Sequence, residues 1–265
     1  GPERFLLVTG SGFGVRDSAW VRRHLPEGVM MREVTNSLAV INVCGPKARD
    51  VLQTLTPADL SNDGFPFLAA KEIEIGLATA LAVRVGYVGE LGWELYVPQE
   101  YAVHVYEALK DAGAPHGIAD VGYRAIESCR LEKGYLYWSA DVTPETTPYE
   151  AGLGFAVALD KGDFIGREAL AEAKAAGAER KLVTLTVDGF APFLGGETVL
   201  LDGEPVGSLT SAGYGHHLGR TIGFGYLPAE IAGREGFVIE AFGTSYDAAR
   251  GPRCLYDAKM ERLKA

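Results

Sequence analysis

The side chains best suited to chemistry crowd into one stretch, Arg84-Val-Gly-Tyr-Val-Gly-Glu-Leu-Gly-Trp-Glu-Leu-Tyr96. Gly86, Gly89 and Gly92 stand three residues apart, a spacing that lets a backbone take positive φ and come close to a ligand or to another segment. Tyr87 and Trp93 add flat aromatic faces, and Glu90 and Glu94 add carboxylates. One glycine suffices for a tight turn. Two readings therefore stand side by side: a glycine-bent hairpin with a bulge, and a pocket wall for a flat, hydrogen-bonding ring.

Other candidates are weaker. Arg130-Leu-Glu-Lys133 puts three charges into four residues, which a solvated or ion-paired helix end explains as well as a ligand does. His216 and His217 are adjacent, so on a strand they point to opposite faces and do not share an ion easily. His116, alone in a loop, reads as solvated. Cys44, Cys129 and Cys254 lie far apart without a C-x-x-C pair. Cys44 and Cys129 read as small core residues and not as thiolate nucleophiles, and the three together point to a reducing, cytoplasmic setting with no disulfide framework. No metal site is expected. A G-x-S-x-G elbow is absent, and Gly10-Ser-Gly-Phe-Gly14 fails the dinucleotide pattern because Val15 stands where its third glycine belongs.

The bulk numbers limit the partners. With 265 residues the chain has length for one large or two smaller domains, and 47% hydrophobic with 23% charged residues is ordinary for a globular protein. A formal net charge of −10 argues against a nucleic-acid or anionic-membrane surface. No apolar run reaches spanning length.

The elements that must position these residues follow from periodicity. Strands are expected over 5–9, 30–35, 38–43, 71–75, 77–85, 93–97 and 152–159. Helices are expected over 16–25, 46–55 and 98–112, from Asp120 through Glu132, and from Arg167 to residue 175. Ala48, Val51, Leu52 and Leu55 fall at i, i+3, i+4 and i+7, one buried stripe. From Lys181 the texture changes to short apolar runs (182–187, 198–201, 207–210, 221–227, 237–241) between glycine-rich turns, the pattern of a small barrel or sandwich. The expected fold class is α+β, with two domains, 1–175 and 176–265.

Three stretches carry a resemblance to a known family. Gly86-Tyr-Val-Gly-Glu-Leu-Gly-Trp-Glu94 resembles the G-Y-[TV]-G-E-x-G-[FW]-E signature of the glycine-cleavage T-protein (aminomethyltransferase) family. Arg130-Leu-Glu-Lys-Gly-Tyr135, with Thr147-Pro-Tyr-Glu-Ala-Gly-Leu153 after it, is similar to that family's R-L-E-x-x-Y…T-x-P-x-E segment. Asp163-Phe-Ile-Gly-Arg-Glu-Ala-Leu170 is similar to its F-[IV]-G-[KR]-x-A-L. Gly45-Pro46 and Thr210-Ser-Ala-Gly-Tyr214 are weaker markers in the right order. The wording is nearest to the dimethylglycine and sarcosine dehydrogenase/oxidase branch.

The resemblance implies a folate-binding α+β region with ferredoxin-like β-α-β motifs followed by a C-terminal β-barrel, and tetrahydrofolate as ligand. It implies that Glu94 anchors the pterin edge and that Tyr135 lines the cavity. Tyr87, Phe155 and Val8, the last in the opening strand, would also contribute contacts. It implies capture of the carbon of an oxidised N-methyl amine as 5,10-methylenetetrahydrofolate, with FAD held only in an upstream flavin domain or subunit. Ile126 stands where the family has an arginine, so no folate-binding arginine carries over. The family's catalytic aspartate belongs to a segment before the first strand, so no catalytic residue is assigned within this chain. An isolated fragment is expected to be inactive. A non-catalytic regulatory subunit and a stand-alone aminomethyltransferase are the alternatives.

Overall fold

A four-stranded antiparallel sheet, ordered β1-β4-β3-β2, carries the glycine stretch at its centre in the computed structural model, which describes residues 3–265. Its strands are β1 (Leu38–Cys44), β2 (Ala70–Ile75), β3 (Ala78–Val83) and β4 (Gly92–Pro98). Two short helices, α2 (Ala48–Gln53) and α3 (Ala102–Gly113), cover one face; α1 (Gly14–Arg23) precedes the sheet. β4 shows why. Trp93, Leu95 and Val97 alternate onto the covered face and join Val51, Leu52, Val105 and Leu109 in one buried core. Burial of such side chains stabilises by about 1.5–3 kcal/mol each. Glu94 and Tyr96 alternate onto the other face, opposite Asn42 and Val40 of β1 and Val83 and Leu81 of β3.

Two further helices, α4 (Tyr123–Lys133) and α5 (Arg167–Ala176), lead to the second half of the chain. There β5 (Arg180–Asp188), β6 (Thr198–Leu201), β7 (Glu204–Gly215), β8 (Arg220–Pro228), β9 (Phe237–Ala241) and β10 (Thr244–Gly251) close into a barrel ordered β10-β5-β8-β7-β6-β9. Leu185, Val199, Leu227 and Ile239 fill its interior. Gly225 is required where β8 crosses β7, since a Cβ there would lie 2.7 Å from the Ser208 carbonyl oxygen. The architecture is α+β with a closed C-terminal barrel. No helix among the described residues is long and apolar enough to cross a membrane.

Three expected strands do not form. Residues 5–9, which include Val8, are irregular, and Phe5, Leu7 and Val8 are exposed. Residues 30–34 are also irregular, with a 3-10 turn at Thr35–Ser37. Apolar runs read as strands only when a ladder partner takes their backbone donors and acceptors, and neither run joins the sheet. Residues 152–159 form a 3-10 turn, Gly154–Ala156, instead. Conversely β10, Thr-Ser-Tyr-Asp-Ala-Ala-Arg-Gly, lacks an apolar run; its ladders to β9 and β5 make it a strand.

Candidate functional site

The glycine stretch becomes a loop between β3 and β4, held close at both ends. Gly89 sits at φ +79°, with Lys133 packed 3.0 Å from where its Cβ would be. At Gly92 a Cβ would lie 2.7 Å from the Val43 carbonyl oxygen. These glycines therefore serve close packing of the loop on α4 and β1. The pocket-wall reading has to rest on the side chains between them.

Those side chains divide. Trp93 is 1% exposed and faces the core, edge-on to Phe65 at 6.1 Å between ring centroids and flanked by the guanidiniums of Arg49 and Arg84. It is unavailable to a ligand on the other face. Glu90 turns toward the end of the chain, where Oε1 accepts from the Tyr256 hydroxyl at 2.6 Å and faces Arg262 at 3.6 Å. Glu94 stands half-buried on the sheet face away from Trp93. Its Oε2 accepts from the Tyr96 hydroxyl at 2.7 Å, and its Oε1 accepts no hydrogen bond among the described residues. Burial, followed by the hydrogen bond to Glu94, pushes the Tyr96 hydroxyl far above the usual tyrosine range, so it stays a donor.

Tyr87 and Tyr135 come together. Their rings stack at 5.8 Å with 12° between planes, and the Tyr87 hydroxyl donates to the Leu136 carbonyl at 2.8 Å. Burial pushes the Tyr87 hydroxyl up to about 12 and raises that of Tyr135 as well. Beyond them Tyr137 meets Tyr123 hydroxyl to hydroxyl at 3.1 Å, and Trp138 packs edge-on to Phe13 at 6.4 Å. Phe155, in the 3-10 turn, is 85% exposed, and Val8 is 62% exposed. Two grooves of about 420 and 500 Å³ lie along the barrel, and neither includes Glu94, Tyr87 or Tyr135.

Tyr135 owes its position to the charged motif before it. α4 ends at Gly134, whose left-handed backbone (φ +75°) and contact with the Arg253 carbonyl leave no room for a side chain. Arg130, expected at a solvated or ion-paired helix end, is fully buried and ion-paired. Its Nη1 donates to the Tyr135 carbonyl at 3.0 Å and to Asp141 Oδ2 at 2.7 Å, while Nη2 reaches Glu127 and the Ser211 hydroxyl of β7. Burial alone would lower the Arg130 pKa; the Glu127 and Asp141 carboxylates outweigh it and raise it. Glu132 Oε1 accepts from the backbone N–H groups of His217 and Leu218 at 2.8 and 3.0 Å. Lys133 pairs with Asp257 at 3.0 Å. All three charges tie α4 to the barrel or to the tail beyond it.

Among the described residues no cluster of histidine, cysteine and carboxylate ligands is arranged for a metal. The three thiols are free, and Cys44 is exposed rather than in the core. Sequence reasoning missed Tyr96 and Asp141. Tyr96 was findable, because on a strand it shares a face with Glu94 two residues earlier. Asp141, in an irregular loop, gives no periodic signal.

Comparison with known proteins accounts for this geometry. Residues 1–161 match the GCVT N-terminal domain, and residues 180–257 match the glycine cleavage T-protein C-terminal barrel domain. Human mitochondrial dimethylglycine dehydrogenase is 38% identical over 99% of this chain and 31% of its own length. Human mitochondrial sarcosine dehydrogenase is 38% identical over 87% of this chain and 26% of its own. The chain thus spans a third or less of these relatives. The crystal structure of the glycine cleavage system aminomethyltransferase T from Bartonella henselae superposes with a TM-score of 0.80 at 26% identity, covering 93% of this chain and 67% of the other. The chain belongs to the glycine-cleavage T-protein family, as an aminomethyltransferase-type module related to dimethylglycine and sarcosine dehydrogenases.

Proposed function

We propose that this chain binds tetrahydrofolate and presents it as the one-carbon acceptor of a dimethylglycine/sarcosine-type demethylating enzyme. The observation that carries the reading is the Glu94 carboxylate. One oxygen is committed to Tyr96, the other accepts from no group among the described residues, and the side chain is half-buried on the face away from Trp93. A pterin presents neighbouring N–H donors along one edge, and a carboxylate with a free oxygen accepts from them with charge assistance. Tyr87 and Tyr135 supply aromatic surface near the loop, and Phe155 and Val8 are exposed and free to contact the ligand.

Bound tetrahydrofolate would supply N5 and N10, which together would take up the carbon as 5,10-methylenetetrahydrofolate, releasing the demethylated amine and a proton from an iminium, or water from formaldehyde. The chain's own residues bind and orient. Glu94 fixes the ring edge, Tyr96 fixes Glu94, and Arg130 fixes Tyr135 through its carbonyl. The aromatic residues keep water from the ring's surroundings. The one-carbon unit is proposed to arise from an N-methyl amine oxidised at FAD in a flavin domain or subunit outside these residues. We divide the chain into a folate-binding unit, 1–175, and a barrel, 176–265, and place it in the cytoplasm on the strength of its free thiols.

The test is calorimetric titration with 5-formyltetrahydrofolate, with Trp138 fluorescence as a second readout. Glu94→Ala is expected to weaken binding by about 1–3 kcal/mol, the cost of a lost charged partner, while Glu94→Gln falls between. Affinity unchanged by Glu94→Ala would remove Glu94 as the anchor. No binding by the parent chain would favour a non-catalytic, regulatory role.

A further inference from the structure

The last residues of the chain leave the barrel and return across the glycine loop. After β10, Leu255 and Tyr256 donate their backbone N–H groups to the Glu132 carbonyl at 3.0 and 2.9 Å, which aligns the segment along the end of α4. Asp257 then turns it. Its carboxylate accepts from the backbone N–H groups of Glu261 and Arg262 at 2.8 and 3.2 Å and from Lys133 Nζ at 3.0 Å. Lys133 is the side chain that packs beneath Gly89. Tyr256 donates its hydroxyl to Glu90, and Arg262 lies over the Tyr256 ring at 5.7 Å while facing the same carboxylate. Leu263 is 2% exposed, with Cδ1 3.4 Å from the place a Cβ at residue 86 would occupy. Finally Arg84 Nη2 and Arg49 Nη2 both donate to the Ala265 main-chain oxygen, at 3.0 and 2.7 Å.

The tail thus meets the loop at its entry (Arg84), at its first glycine (Gly86) and at its apex (Glu90), and reaches Gly89 through Lys133. A loop built around three glycines has little stiffness of its own, because each glycine leaves the backbone more conformations to lose. Its shape has to be imposed from outside. On one side Gly92 against β1 does so, and on the other the tail. We propose that Tyr256 and Leu263 are positioning residues, and that the segment 253–265 is a strap, anchored by Arg49 and Arg84, which holds the glycine loop in the shape that presents Tyr87 ahead of β4. The ligand named for that site rests on the folate reading; the strap itself does not.

The experiment compares hydrogen exchange of the 265-residue chain with that of Tyr256→Phe, of Leu263→Ala, and of a chain ending at Asp257. Backbone amides of residues 86–92 are expected to exchange roughly tenfold faster in Leu263→Ala, and faster again in the shortened chain, while barrel amides of β5–β8 keep their protection. Leu263→Met, which refills the space beside Gly86, is expected to restore slow exchange. Loop protection that is unchanged in both Leu263→Ala and the shortened chain overturns the strap. So does loss of protection spread evenly over loop and barrel, which marks a general fall in stability. 5-Formyltetrahydrofolate is titrated into the same proteins. Faster loop exchange with no folate binding by the parent upholds the strap and sinks the folate reading, whereas folate affinity with unaltered loop exchange does the reverse.

Discussion

Replacing Asp141 tests most directly how the two halves of the chain are joined. The side chain is fully buried. Oδ2 accepts from Arg130 Nη1 at 2.7 Å and from the Tyr137 backbone N–H at 2.8 Å, and Oδ1 accepts from the Thr210 hydroxyl of β7 at 2.5 Å. Asp141→Ala removes three hydrogen bonds and leaves Arg130 with Glu127 as its remaining carboxylate. Breaking a buried ion pair from one side costs about 3–5 kcal/mol, since the surviving charge keeps its desolvation penalty without its partner. Glu127 is about a third exposed and offsets part of this, so the lower end, about 3 kcal/mol, is expected. Urea unfolding followed by circular dichroism would read it as a fall in midpoint at unchanged slope. The double variant Arg130→Met/Asp141→Leu removes both charges and is expected to recover more than half of the loss. A cost below about 1 kcal/mol for Asp141→Ala, or a double variant less stable than the single, would refute the view that a buried charge pair joins the halves.

Other outcomes follow from single residues. Gly134→Ala combines a left-handed backbone with a contact against the Arg253 carbonyl, and is expected to cost on the order of 2–4 kcal/mol by thermal or urea unfolding. Trp93 is buried and its Nε1 has no hydrogen-bond partner among the described residues; Trp93→Phe is therefore expected to cost less than the roughly 3–5 kcal/mol of a deletion to alanine, measured the same way. Burial raises the Asp257 carboxyl, but the Lys133 ammonium and the Glu261 and Arg262 backbone N–H groups outweigh it and hold the pKa below the usual value. A depressed carboxyl adds stability above its unfolded pKa, about 3.9, and loses it as pH falls through the lower folded value. The advantage of the parent over Asp257→Asn is thus expected to be constant at neutral pH, to begin to fall near about pH 4, and to be lost as pH drops through the lower folded value.

The barrel and the central sheet were legible because their strands announce themselves. Thr198–Leu201 and Phe237–Ala241 are short apolar runs between turns, and Trp93, Leu95 and Val97 alternate with polar neighbours. Residues 5–9 have the same texture and form no strand, since an apolar run carries no information about whether a partner strand lies beside it. The resemblance pointed to Glu94 and Tyr135, and alternation alone places Glu94 on the face away from Trp93. What could not be read was the destination of the charges. Arg130, Glu132 and Lys133 look like a solvated helix end until Ser211, the His217–Leu218 backbone and Asp257 are seen around them. Those partners lie 81 to 124 residues downstream, far beyond any local pattern.

That separation bears on how the protein is made. A chain emerging from the ribosome can assemble the four-stranded sheet and its two helices as soon as residue 113 is out, because all their core contacts lie within that span. The last turn of α4 has to wait. Its three charged side chains cannot be dehydrated until β7, the turn after it and the tail have been synthesised, and closing loops of that length carries a substantial entropic cost. Until then the last turn of α4 lacks the partners that satisfy its charges in the folded chain. The sheet thus has all its core partners within residue 113, whereas the helix end beneath Tyr135 gains its partners only as residues 211–257 are added.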